Sequence, residues 1–100
     1  MRLPFIFKPS ARAELVEAIA WYESEKPGLG REFALEVKIA LKRAQANPEL
    51  FQKVRGRAQK IRLRRFTKYN IYFAIKDDAF AVLSVFHGAR NPAVLHRRLK

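Results

Sequence analysis

The chain has 100 residues, with 21 lysines and arginines against 9 aspartates and glutamates, a formal net charge of +12, 49% apolar residues and no cysteine. Length and apolar content set the expectation of one domain, residues 1–100, around one modest core, and the lack of thiols excludes a disulfide framework, a thiolate nucleophile and a cysteine-bound metal. No run approaches the roughly 20 apolar residues of a bilayer span and the N-terminus lacks a secretory apolar region, so a soluble cytoplasmic protein is expected.

Residues 2–7 (RLPFIF) form a short apolar run in which Pro4 removes a ladder donor, which predicts an edge strand. Pro9 and Ser10 signal a helix start, with the Ser10 hydroxyl as the expected cap. From Ala11 the period is helical: Ala11, Leu15, Ala18, Ile19 and Tyr22 fall on one face, with Glu14, Glu17 and Glu25 placed off it. This helix ends at Lys26, before Pro27-Gly28. A second helix is predicted from Leu29 to Ala46, buried through Leu29, Phe33, Val37, Ala40, Leu41 and Ala44 and stopped by Asn47-Pro48. The connection is so short that the two helices must form an antiparallel hairpin, with Trp21, Tyr22 and Phe33 packed near its tip.

After a loop containing Phe51 and Gly56 the period changes from 3.6 to 2. Ile61 and Leu63 alternate with Lys60, Arg62 and Arg64; Tyr69, Ile71, Phe73 and Ile75 alternate with Asn70, Tyr72, Ala74 and Lys76; residues 80–86 are almost continuously apolar and read as a central strand covered on both faces. Asp77-Asp78 supply the tight turn between the last two strands. Asn91-Pro92 opens a short C-terminal helix or tail. The expected architecture is α+β: a β-α-α-β-β-β order in which a helical hairpin packs on one face of a small antiparallel sheet.

Charge is distributed unevenly. Residues 1–50 hold 8 basic and 7 acidic side chains, and residues 51–100 hold 13 and 2, so nearly all the excess lies in the second half. Such a field steers the chain toward a polyanion or an acidic protein. Strand alternation would present Lys60, Arg62 and Arg64 on the sheet face away from the helices, as a concave basic surface. His87 is a candidate acid or base, or a structural histidine bonded within its loop. Arg90 is a candidate phosphate ligand, or a pin for the C-terminal tail. His87 and His96 have no partners at metal-ligand spacing, so no metal and no cofactor is expected.

The ordered series Gly28-Leu29-Gly30-x-x-Phe33-x-x-x-Val37, Asn47-Pro48-x-x-Phe51, Lys60-Ile61-Arg62-Leu63, Tyr69-x-Ile71-Tyr72-Phe73 and Val82-Leu83-x-Val85-x-His87-x-x-Arg90-x-Pro92 resembles the RelE/ParE superfamily of toxins over nearly the whole chain. The resemblance implies a type II toxin-antitoxin system, a cognate acidic antitoxin bound in a hetero-oligomeric complex, growth inhibition, and a role such as plasmid stabilisation. It implies two mechanisms. RelE-like members cut mRNA on the ribosome, a metal-independent reaction that needs a base, an acid and cations around a phosphate; ParE-like members poison DNA gyrase. Lys60 and Arg62 match the nuclease pattern as base or charge stabiliser and phosphate clamp, with His87 and Arg90 completing a candidate catalytic set. Asn70 stands where that branch has an arginine, Val94 where it has a tyrosine, and His87-Gly88 where it has a basic pair. The Gly28-Leu29-Gly30 corner and the His87-x-x-Arg90-x-Pro92 ending favour the ParE-like reading, in which Lys60, Arg62, Arg64, Arg65, Asn70, His87 and Arg90 bind target or antitoxin. A basic nucleic-acid-binding module without toxicity is the remaining class, with Phe66 and Tyr69 as its only candidate stacking residues.

Overall fold

The computed structural model describes residues 3–99. Its elements are β1 (Phe5–Phe7), α1 (Pro9–Glu25), α2 (Leu29–Ala46), a 3-10 turn (Pro48–Leu50), β2 (Gln52–Arg55), β3 (Ala58–Arg62), β4 (Tyr69–Lys76), β5 (Ala79–His87) and α3 (Pro92–Arg98). The five strands form one mixed sheet in the order β1-β5-β4-β3-β2. β1 runs parallel to β5, and the remaining neighbours are antiparallel. This is the expected α+β architecture with one strand more than the period-2 pattern gave. β2 lies in what reads as the loop around Phe51 and Gly56. All four of its residues are exposed, so no apolar alternation marks it; only pairing with β3 makes it a strand.

The helices follow their periodicity closely. α2 buries Phe33, Val37, Ala40, Leu41 and Ala44, as predicted. α1 starts one residue before Ser10: Pro9 takes the first turn, where its missing N–H costs no hydrogen bond, Lys8 is the N-cap, and the Ser10 hydroxyl caps nothing. Glu14 is a second departure, because it is buried rather than turned off the apolar face. In the hairpin, Gly28 adopts φ +89°, in the region that favours glycine, and opens α2. The Glu23 carboxylate then accepts from the Gly28 N–H at 2.9 Å and the Gly30 N–H at 3.0 Å, capping α2 from α1.

Tyr22 and Phe33 pack against Phe66 and Tyr69 with ring centroids 4.8–5.9 Å apart, joining the hairpin to the sheet. Trp21 lies edge-on to Tyr22 and stays half exposed. Phe73 and Phe80 stack at 4.4 Å beneath the helices. The turn between β4 and β5 is made by Asp77 and Asp78, at φ 53° and 57°. A two-residue hairpin with both residues left-handed matches the twist of the flanking strands. β5 is buried on both faces, as its apolar run predicts, although β4 occupies the middle of the sheet.

The second sheet face differs from the open basic surface expected. Ala58, Tyr72 and Phe86 form a smaller core there with Leu95 and Leu99 at the C-terminal end, so α3 covers part of that face. Asn91 starts α3 by accepting from the Ala93 N–H at 2.9 Å, and Pro92 sits in the first turn.

Two predictions follow from this packing. A Cβ on Gly30 would meet the Ile19 carbonyl oxygen at 2.5 Å, so Gly30→Ala must separate the helices; a loss of about 1–3 kcal/mol is expected in denaturant unfolding. Burial is the main cause raising the phenols of Tyr22, Tyr69 and Tyr72 above their ordinary value. A raised folded value contributes stability that is intact below the unfolded value of about 10 and is lost as pH rises through the folded one. Tyrosinate absorbance should therefore appear at more alkaline pH than for free tyrosine, with stability falling above about pH 10.

Candidate macromolecule-binding surface

Lys60 and Arg62 project from β3 on the side away from the helical hairpin, while Ile61 and Leu63 between and beyond them are buried under it. Pairing fixes their neighbours: Lys60 lies opposite Tyr72, and Arg62 opposite Asn70. On the next strand Tyr72 pairs with Ser84, and Asn70 with Phe86. Lys60 is half-buried and Arg62 exposed. The positive charge of Arg62 partly opposes the burial that raises the Tyr72 phenol. The far face thus carries cations toward its β2–β3 margin and apolar side chains under α3.

Arg64 lies beyond the end of β3 and leaves that face. It borders a groove of about 350 Å³ with Arg62, Glu36, Ile39 and Arg43, and so belongs to the sheet margin beside α2. Arg65 is tied down more fully. Its guanidinium pairs with Glu32 and lies 5.1 Å from the Phe66 ring centroid, and its N–H donates to Glu36 at 3.1 Å.

The four residues of the candidate catalytic set are not assembled. His87 pairs across the ladder with Tyr69, which packs with Tyr22 and Phe33 beneath the helices, so His87 belongs to the opposite face from Lys60 and Arg62. Its ring stands edge-on to Tyr69 at 4.9 Å, and Nδ1 accepts from the Ala89 N–H at 2.9 Å. That nitrogen closes a turn and is not free to take a proton from a substrate. Arg90 reaches Glu14 at 3.2 Å and lies over the Phe86 ring. It pins the segment after β5, the structural alternative that the sequence left open.

A family model described as ParE toxin of type II toxin-antitoxin system, parDE, matches residues 5–92. The chain belongs to the ParE toxin family. A solved structure titled "Chromosomal ParDE TA system from P. aeruginosa" aligns with a TM-score of 0.74 over 86% of this chain and 96% of that one, at 13% identity, a likeness of fold. None of the curated proteins compared with the chain matches it.

Sequence reading missed the most heavily bonded side chain of the toxin. Beyond Val82, β1 no longer pairs with β5, and Glu14 on α1 occupies the open edge. Its Oε1 accepts from the Ser84 hydroxyl at 2.8 Å and the Val85 N–H at 3.0 Å; its Oε2 accepts from Arg90 and from Arg98 of α3. The signal was present, since position 14 lies at helical spacing from Ala11, Ala18 and Tyr22, but a carboxylate there reads as solvated. No helix is long and apolar enough to cross a membrane, and no group of three or more His, Asp or Glu could hold a metal ion, among the described residues.

Removing one partner from a buried ion pair leaves the other charges uncompensated. Because Arg90 is 46% exposed, the loss lies at the lower end of that range: Glu14→Gln should cost about 3 kcal/mol. Calorimetric and denaturant unfolding of the variant would check this, with faster amide exchange expected in 92–98.

Proposed function

We infer that this ParE-family toxin arrests growth in the cytoplasm by binding DNA gyrase and interfering with it, without covalent chemistry of its own, and that an acidic antitoxin neutralises it. The observation carrying this reading is the division of the candidate catalytic residues. Lys60 and Arg62 lie on one sheet face, His87 is turned to the other and bonded within its loop, and Arg90 is committed to Glu14. Phosphate cleavage needs a base, an acid and cations around one oxygen. Cations held apart from any positioned acid-base pair suit docking on an anionic or acidic macromolecule. On this reading Lys60, Arg62, Arg64 and Asn70 contact target or antitoxin, while Arg65, His87 and Arg90 hold the surface in shape.

Purified gyrase should lose supercoiling activity as the protein is added, and ribosome-dependent cleavage of mRNA should be absent. Unchanged supercoiling together with A-site cleavage would move the assignment to the nuclease branch. Arg62→Glu should raise the concentration needed for half inhibition about tenfold at low salt and less as ionic strength rises. An inhibition curve that charge reversal and salt leave alone would remove β3 from the interface.

A further inference from the structure

Beside α3, the sheet face away from the hairpin opens into a groove of about 680 Å³. Its floor is made of small side chains. Ala74 on β4 pairs with Ala81 on β5, and Ala58 on β3 and Ala79 on β5 extend the row of methyl groups. Elsewhere this face carries Tyr72 and Phe86, filled in by Leu95 and Leu99. Alanine in place of such bulk lowers the surface, which leaves a trough between the end of α3 and the Gly56-Arg57 turn.

Exposed cations line the rim: Lys8 just beyond β1, Arg57 in the turn between β2 and β3, and Lys76 at the end of β4. None has an ion pair among the described residues. The Lys8 N–H donates to the Val82 carbonyl at 3.0 Å, which holds that residue against β5. β1 and β3 are three strand spacings apart, so the backbones carrying Lys8 and Arg57 stand about 14 Å apart across the sheet. Asp77 also faces the groove, and the Arg98 charge is met by Glu14. The field continues past α3, where Arg55 borders a smaller groove of about 180 Å³ with Tyr72 and Leu95, and then reaches Lys60 and Arg62 on β3. A second copy of a +12 chain would bring like charge against like charge here, which disfavours self-association.

We propose that this groove binds the phosphodiester backbone of duplex DNA, with Lys8, Arg57 and Lys76 each against a phosphate. The ladder groups of β4 and β5 are bonded within the sheet, so the floor offers an extended peptide no main-chain partners, and its methyl groups form no pockets for side-chain anchors. Separate cations around a shallow floor suit a ligand whose charges repeat evenly, and a duplex carries one per about 1.7 Å of axis. Single strands are held by bases stacked on exposed aromatic rings. Here Tyr72 and Phe86 are buried under α3, and Phe66 is buried in the core beneath the hairpin. Contact through the backbone alone is independent of sequence and weakens steeply with salt. The choice of DNA rests on the gyrase reading, since DNA is what gyrase acts on, and the proposal adds a contact to the nucleic acid besides the enzyme.

The test is fluorescence anisotropy of a labelled duplex of about 12 base pairs with the full chain, across a salt series. Lys8→Gln with Arg57→Gln and Lys76→Gln should flatten the slope of log affinity against log salt by about 2.7, for three phosphate contacts, and weaken binding at least about thirtyfold at ~100 mM salt. The charge-matched control on α2, Arg31→Gln with Lys38→Gln and Lys42→Gln, should change the slope by less than about 0.5 and the affinity by less than about threefold. All these positions are exposed, and circular dichroism melts must match the parent. Equal losses in the two variants would mean attraction by net charge alone and would overturn the proposal. Tighter groove-dependent binding to polyglutamate, single-stranded DNA or an RNA duplex than to duplex DNA would overturn it too. A parent that inhibits supercoiling but does not bind the duplex through the groove keeps the gyrase reading and loses this contact. Groove-dependent duplex binding without inhibition of supercoiling keeps the DNA site and removes the gyrase reading.

Discussion

A single buried carboxylate joins the three layers of this protein. Glu14 leaves α1 where β1 stops pairing with β5, and it meets a hydroxyl and an amide of β5 and a guanidinium from each of Arg90 and Arg98. An open strand edge beneath a helix would leave an unpaired N–H, and an anion there without cations would be costly to desolvate. Supplying both the acceptor and its counter-charges removes each difficulty. The same bonds decide where the C-terminal helix lies, because Arg98 brings α3 onto the face that the hairpin leaves free.

That clamp also organises the charge. Acids at the helix-sheet boundary are used internally: Glu14 in the clamp, Glu23 on the Gly28 and Gly30 amides, Glu32 and Glu36 on Arg65. Their cationic partners are the few arginines that hold structure together. The remaining cations of the second half have no internal partner among the described residues, and the field that they produce is the property available to a binding partner. Internal pairing therefore divides the basic residues into two sets. Arg65, Arg90 and Arg98 belong to the framework, while Arg62 and Arg64 lie at the margin facing outward.

An aromatic cluster packs on the other side of the sheet from that margin. Tyr22, Phe33, Phe66 and Tyr69 interlock where the hairpin tip meets the start of β4, and Arg65 lies over Phe66 at the rim of the cluster. His87 adds its ring to Tyr69 and closes its own loop through Nδ1. A histidine that reads in the sequence as an acid, a base or a loop-bonded residue has a packed ring and a bonded Nδ1 in the fold. What distinguishes the two roles is the partner of each ring nitrogen, which no linear pattern contains.

The elements that local physics governs were legible in the residues alone. Spacing at three and four gave the buried face of α2, alternation put Lys60 and Arg62 opposite the helices, and two adjacent aspartates marked the hairpin turn. The ordered motif series also pointed to the toxin superfamily whose ParE family the chain joins. Tertiary structure alone decided the remainder. β2 is a strand because β3 offers it an edge, and α3 covers the far face because Leu95 and Leu99 find Tyr72 and Phe86. Glu14 is buried because its partners Ser84 and Arg98, 70 and 84 positions away, arrive beside it only when the sheet closes. Periodicity reports which side of an element is apolar; it carries no information on which distant polar group will satisfy a charge, and here that pairing sets Arg65, Arg90 and Arg98 apart from Arg62 and Arg64, which have no ion pair among the described residues.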